Sequence, residues 1–132
     1  IYLDENDQDL QNAARAGNPH MVTQFIEKGL SYSTHIMCLV SEKTSESWWV
    51  PYEIGFAKKS GKKISSLILK DNTYLPDYLK ISEILEGTKS LNAYLEKLER
   101  ESRTKHGFMV LKESLINHAG SHPLDNYLNW QK

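Results

Sequence analysis

The chain has 132 residues, a formal net charge of −1, and 39% hydrophobic and 25% charged residues. This length suits one domain that buries enough surface to fold without metals or disulfides. The balanced charge excludes a global basic field that would recruit nucleic acid, and no apolar run reaches the roughly 18 residues of a membrane span. The single cysteine, Cys38, excludes a disulfide framework within the chain. With no signal peptide, we expect a cytoplasmic protein.

The first residues predict a strand followed by a loop. Residues 1–4 (IYLD) are a short apolar run ending in Asp4, and polar residues follow. We expect the loop to continue to Asn18, with residues 13–16 as a possible helical turn. Because the strand starts without a methionine or a lead-in, we expect that the sequence is a fragment or that its N-terminus was removed.

The middle of the chain alternates between helical and strand patterns. Asn18 and Pro19 fit a helix start, and Gly29 fits its end. Residues 35–40 are a nearly continuous apolar run, which is typical of a strand buried on both faces. A helix is predicted over residues 48–59, and a strand over 63–69. A loop with a turn at residues 75–77 follows.

The last third predicts a short strand over residues 81–85 and a helix capped by Thr88 or Ser90. A further helix is expected in the tail, with one more turn over residues 125–130; its apolar positions are Phe108, Leu111, Leu115 and Ile116. Alternating strands and helices indicate an α/β fold with a parallel sheet. We assign residues 1–103 to the main domain and residues 104–132 to a C-terminal helical extension of it.

One pair of residues points to a site. Glu53 stands four residues after Trp49, near the start of the helix predicted for residues 48–59. Residues four apart lie on the same helix face, so the carboxylate lies one turn beyond the indole. A charge beside a large aromatic side chain is costly unless it is used. The pattern therefore indicates a ligand pocket, in which the positive end of the helix favours an ionised carboxylate.

Several motifs in order resemble those of a TIR (Toll/interleukin-1 receptor) domain of the bacterial type. Residues 1–4 look like its second strand, and residues 5–17 like the long loop that gates the site or makes assembly contacts. Residues 37–41 (MCLVS) look like the third strand. Residues 47–57 (SWWVPYEIGFA) match S-x-W-V-x-x-E-I-x-x-A, and residues 61–64 (GKKI) and 75–79 (LPDYL) match the following segments.

The resemblance implies a flavodoxin-like parallel sheet with helices on both faces, and cleavage of NAD⁺ to nicotinamide and ADP-ribose or a cyclised form. The family's catalytic glutamate falls on Glu53. Trp49 and Tyr52 would form the pocket wall, and Asp4 and Ser41 would shape the substrate site. NAD⁺ is the substrate, so no separate cofactor is expected. The expected partners are copies of the chain or other TIR domains, without nucleic acid or membrane.

One part of the family pattern is missing. The first strand and the loop and helix after it are not in the sequence, although that strand lies inside a sheet of order 2-1-3-4-5. We expect these residues to lie upstream of Ile1, since an interior gap leaves two backbone ladders unpaired.

Other interpretations remain open. The chain is alternatively a non-catalytic TIR module that self-associates, which predicts loss of association when residues 9–15 are altered. A nucleotide-binding or deoxyribosyltransferase-like enzyme on a similar fold is a third reading. No metal site is expected. His118 and His122 are four apart, but Gly120 and Pro123 interrupt any helix there, and no third ligand is near.

Overall fold

The computed structural model describes residues 7–106, 122–129 and 132. In these residues the elements are α1 (Gln8–Arg15), α2 (Pro19–Ser31), β1 (His35–Val40), α3 (Trp49–Lys59), β2 (Lys63–Ile68), β3 (Glu83–Leu85) and α4 (Thr88–His106), with 3₁₀ helices at Glu42–Glu46 and Asp77–Leu79. None of the helices in these ranges has the length and apolar character needed to cross a membrane.

The three strands form one parallel sheet in the order β1-β2-β3. β1 and β2 are paired along their full lengths: His35 lies opposite Lys63 at one end, and Val40 lies opposite Ile68 at the other. The β2–β3 pairing is shorter and ends with Leu67 opposite Leu85. Because the strands are parallel, their carboxyl ends meet at one edge of the sheet, where ligands bind in open α/β folds.

Helices cover both faces of the sheet. On one face, Val40 of β1 packs with Ile54 of α3 and with Leu79. On the other face, Leu67 of β2 packs with Leu91 of α4. Successive side chains of a strand point to opposite faces, so the same strands serve both clusters. The predicted α/β fold with a parallel sheet and helices on both faces is confirmed.

The segment predicted as a long loop is partly helical. Residues 8–15 form α1, which begins where the Asp7 side chain accepts a hydrogen bond from the Leu10 N–H at 3.0 Å. Leu10 and Ala13 are buried against α2. The loop assignment was therefore wrong for these residues, because two apolar positions three apart suffice to dock a short helix whose other residues are mostly polar.

The other boundaries follow the predictions closely. β1 has the predicted bounds, and α3 begins one residue later than predicted. The Asn18 side chain accepts a hydrogen bond from the Met21 N–H at 3.2 Å and so caps α2 as expected. That helix continues to Ser31 and does not stop at Gly29. The predicted strand over residues 81–85 is shortened to β3.

The described part of the tail packs on the sheet. Leu128 is 1% exposed and joins the core cluster between β2, β3 and α4. The Lys70 N–H donates to the Tyr127 carbonyl at 2.7 Å, and the Thr88 N–H donates to the Asn129 carbonyl at 2.9 Å. The chain thus crosses the carboxyl edge of the sheet between residues 122 and 129.

The remaining predictions for the tail are only partly covered by the structure. The helix expected around Phe108, Leu111, Leu115 and Ile116 lies outside the described residues. The turn predicted over residues 125–130 overlaps a turn over residues 123–127. Helix α4 runs through residue 103 to His106, and the division at residue 103 stays a prediction.

Candidate functional site

Helix α3 carries Glu53 at its fifth position. The Val50 N–H donates to the Ser47 hydroxyl at 3.3 Å at the start of this helix, and Pro51 lies in the first turn, where its missing N–H costs nothing. The helix ends at Lys59 with Ser60 as its C-cap, before Gly61 with its left-handed φ of 71°. Because the dipole acts within the first turn, its effect on Glu53 is weaker than the sequence suggested.

Glu53 is half-buried and interacts with β1. Burial raises the pKa of the Cys38 thiol to about 11, and the negative charge of Glu53 adds to the shift. The carboxylate therefore lies within electrostatic reach of Cys38, which packs against the core cluster of Val40, Ile54 and Leu79. Glu53 thus has an apolar cluster beside it, which strengthens its field.

The two predicted wall residues have different surroundings. Trp49 is 38% exposed and meets Tyr52 edge to face, with ring centroids 6.2 Å apart. The Tyr52 hydroxyl donates to the Glu27 carboxylate at 2.5 Å, and the Tyr52 ring packs against the α1–α2 cluster. Trp49 therefore neighbours both residues: its ring meets Tyr52 three positions on, and Glu53 stands four positions on, while the Tyr52 hydroxyl is directed to α2.

The pKa of Tyr52 is raised above its ordinary value by the hydrogen bond to Glu27 first, then by burial and by the charge of Glu27. This hydroxyl is thus held neutral by a partner from α2.

The last two predicted substrate residues come from strand ends. Ser41 directly follows β1, is half-buried and caps the 3₁₀ helix at Glu42–Glu46. Its N–H donates to the Thr44 hydroxyl at 2.9 Å. Asp4 lies outside the described residues. The roles of both residues, like those of Trp49 and Tyr52, stay predictions.

Two exposed apolar side chains lie near the carboxyl end of β1 and the start of α3. The Trp48 indole is 92% exposed and Leu39 is 57% exposed. Among the described residues no element buries the Trp48 indole.

A cavity of about 260 Å³ lies at the carboxyl ends of β2 and β3, and no sequence motif predicted it. None of the predicted site residues lines it. Its walls come from the ends of two strands, the loop after β2 and the tail, and include Ile68, Asn72, Tyr74, Leu75, Ile84 and Asn129.

A parallel sheet with helices on both faces, together with the SWWVPYEIGFA segment that forms α3, defines a TIR-type domain. The model of the family described as "Thoeris protein ThsB, TIR-like domain" matches residues 1–73, more than half of the chain, and the chain belongs to that family. The match includes Trp49 and Glu53 and ends in the loop after β2. Searches of curated proteins and of solved structures found no match.

Proposed function

We propose that the protein is an NAD⁺ nucleosidase of the TIR type that acts in anti-phage defence signalling. The observation that carries the proposal is Glu53, a half-buried carboxylate on α3 beside an apolar cluster and one turn beyond Trp49. Membership of the TIR-like family supports the proposal, and Glu53 is the glutamate of the segment that resembles the family's catalytic motif.

The chemistry needs one well-placed carboxylate. The bond between the ribose C1′ and the nicotinamide nitrogen breaks, and the electron pair leaves with nicotinamide as a neutral base, so no general acid is required. The ribose carbon then carries oxocarbenium-like positive charge. Glu53 stabilises this charge until a water oxygen adds to C1′ and releases one proton to the solvent, which gives ADP-ribose. Ordinary glycosidases use a carboxylate pair, because their leaving group must be protonated.

The surroundings of Glu53 favour this role. Apolar neighbours lower the local dielectric constant and so strengthen the attraction between a carboxylate and a developing cation. In this proposal Trp49, which is partly exposed and lies on the same side of α3, forms one wall of the substrate site. Ser41, at the carboxyl end of β1, contacts the substrate from the strand edge. Tyr52 supports Trp49 through their edge-to-face contact.

The test is release of nicotinamide from NAD⁺ by the protein and by Glu53→Gln, at concentrations that permit assembly. Loss of one charge-stabilising group typically lowers the rate by about 100-fold or more. Glu46→Gln is the matched control, since Glu46 is exposed in the nearby 3₁₀ helix. Glu46→Gln should keep the full rate. Equal rates for wild type and Glu53→Gln would contradict the role of Glu53.

Self-association with another copy or another TIR domain is a second candidate function, which Trp48 favours. A tryptophan that is 92% exposed is unusual for a monomer surface and typical of an interface anchor. Sedimentation of concentrated protein should show assemblies that Trp48→Ala dissociates. An unchanged sedimentation profile in Trp48→Ala would contradict this surface. Assembly without any NAD⁺ turnover would favour a non-catalytic module.

A further inference from the structure

The Trp48 indole is a large apolar group that the described residues leave in water. It is 92% exposed and lies at the N-cap of α3, close to the carboxyl end of β1. A tryptophan side chain buries roughly 150–250 Å² when it is covered, and tryptophan is enriched among the residues that anchor interfaces. Self-association through Trp48 therefore requires a receiving surface on the second copy.

The cavity at the carboxyl ends of β2 and β3 is suited to receive such a group. Ile68, Leu75 and Ile84 give it an apolar lining, and Tyr74 adds an aromatic ring. Tyr74 is 58% exposed and Ile84 is 40% exposed, so the cavity opens to solvent. Exposed apolar surface framed by polar residues is typical of a place where another molecule docks.

The volume of the cavity matches the volume of an indole. A benzene ring, with six carbon atoms, occupies an apolar cavity of about 150 Å³. In proportion, the nine ring atoms of an indole require roughly 225 Å³. The cavity measures about 260 Å³, so it accommodates one indole with little space left over.

The walls of the cavity also match the chemistry of an indole. A buried tryptophan usually donates its ring N–H to an acceptor. Glu86 lines the cavity and is exposed, so its carboxylate offers that acceptor at the rim. The Tyr74 ring offers an aromatic partner, and aromatic pairs contribute beyond the area that they bury.

Both surfaces lie at the carboxyl edge of the sheet. Trp48 follows β1, and the cavity follows β2 and β3. Since Trp48 is 92% exposed, it does not occupy the cavity of its own copy. An apolar side chain and a fitting pocket elsewhere on the same molecule link one copy to another. Two copies whose carboxyl edges face each other bring these surfaces together.

We propose that Trp48 of one copy inserts its indole into this cavity of a second copy, against Tyr74 and Ile84, with the indole N–H donating to Glu86. The inference rests on self-association, the second candidate function, and does not depend on Glu53. The tail contributes to the receiving surface, because the cavity wall includes residues 129 and 132, which lie beyond the part of the chain that the family model matches.

The test is sedimentation of the whole chain with the two surfaces altered separately. Trp48→Ala removes the inserted group, and Ile84→Glu places a charge in the apolar lining of the cavity. Each change should weaken association by about 30-fold or more, as expected for an interface hot spot. Tyr32→Ala is the matched control, since Tyr32 is an aromatic residue that is 85% exposed at the end of α2. This control should sediment as the wild type does.

An equimolar mixture of the two variants provides the decisive measurement. Trp48→Ala keeps an intact cavity, and Ile84→Glu keeps an intact indole, so the mixture should associate at least about tenfold more tightly than either variant alone. Thermal unfolding checks that Ile84→Glu folds, and Tyr74→Ala serves as a second cavity variant with the same expected loss. A mixture that associates no better than its components would overturn the proposal.

The outcomes also separate this inference from the functions proposed above. If Trp48→Ala dissociates the assemblies and both cavity variants leave them intact, the cavity is not the receiving surface, and self-association through Trp48 stands without it. If Trp48→Ala leaves the assemblies intact, both ideas fail. Release of nicotinamide from NAD⁺ is measured independently and tests Glu53 in either case.

Discussion

The outer strands β1 and β3 differ in how closely they resemble the edge strands of other sheets. β3 has three residues, its Glu83 forms an ion pair with Lys97 of α4 at 2.9 Å, and the tail lies beside Gly87 just beyond it. β1 has six residues, HIMCLV, without Asp, Glu, Lys or Arg, and Leu39 is 57% exposed. Short, charged and covered strands are typical of edges, whereas long apolar strands are typical of sheet interiors.

The difference shows that the described residues cover the β3 edge of the sheet more completely than the β1 edge. Beside β3, the tail closes the core and forms a cavity wall. Beside β1, where Glu53 lies, apolar side chains remain partly open. The candidate catalytic site thus lies on the side of the sheet where the described residues leave apolar side chains partly exposed.

The largest expected effect is on the free energy of unfolding, at the β3 edge that the tail covers. Leu128→Ala should lower the free energy of unfolding by about 3 kcal/mol, because the side chain is 1% exposed and its loss leaves a cavity. Leu39→Ala makes the same chemical change on β1 and should cost less than about 0.5 kcal/mol. Urea unfolding measures both. A large loss for Leu39→Ala would mean that β1 is covered in solution, which would break the comparison.

The next largest change in stability is expected from substitutions at two glycines. A Cβ at Gly87 would lie 2.2 Å from the Asn129 carbonyl oxygen, so Gly87→Ala should destabilise the fold by about 2 kcal/mol. A Cβ at Gly55 would meet nothing within 4 Å, so Gly55→Ala in α3 should stabilise it by about 0.5 kcal/mol. Thermal unfolding distinguishes the two directions. A stabilised Gly87→Ala would show that the tail is not docked.

Tyr52→Phe tests whether the Tyr52 hydroxyl contributes to the stability of the fold and not to NAD⁺ cleavage. Loss of the hydrogen bond to Glu27 should cost about 1 kcal/mol at pH 7, and NAD⁺ cleavage should persist. The pKa of Tyr52 is raised above its ordinary value of 10 in the folded state, so its contribution is complete below that pH and is lost as pH rises further. Unfolding measured from pH 7 to pH 11 should show the two proteins converging. A constant difference would contradict this.

The smallest effect concerns Cys38. With a pKa of about 11, only about 0.3% of the thiol is ionised at pH 8.5, against about half for a free cysteine. Alkylation by iodoacetamide should therefore be slow. Glu53→Gln removes one of the causes of the shift and should speed alkylation severalfold, whereas Glu46→Gln should not. Identical rates in all three proteins would place Glu53 away from β1.

The sequence predicted the elements that repeat a simple pattern. β1 could be predicted to the residue because its apolar run is continuous, and the start of α2 because Asn18 and Pro19 mark it. Helix α1 was missed because only Leu10 and Ala13 show its buried side. The cavity was not predictable, since Asn72 and Asn129 are far apart in the chain and meet only through tertiary packing. The motif spacing predicted Glu53 as a site residue. The orientation of Tyr52 toward Glu27 was not predictable, because it depends on how α2 packs.

The burial of Leu128 has a consequence for the timing of synthesis. Its partner Leu85 leaves the ribosome roughly 40 residues earlier, which at ordinary translation rates is about 2–9 s. During that interval the apolar face shared by β2, β3 and α4 lacks its last side chain. A nascent chain therefore exposes this face for seconds, and a ribosome that stalls there would present it to chaperones.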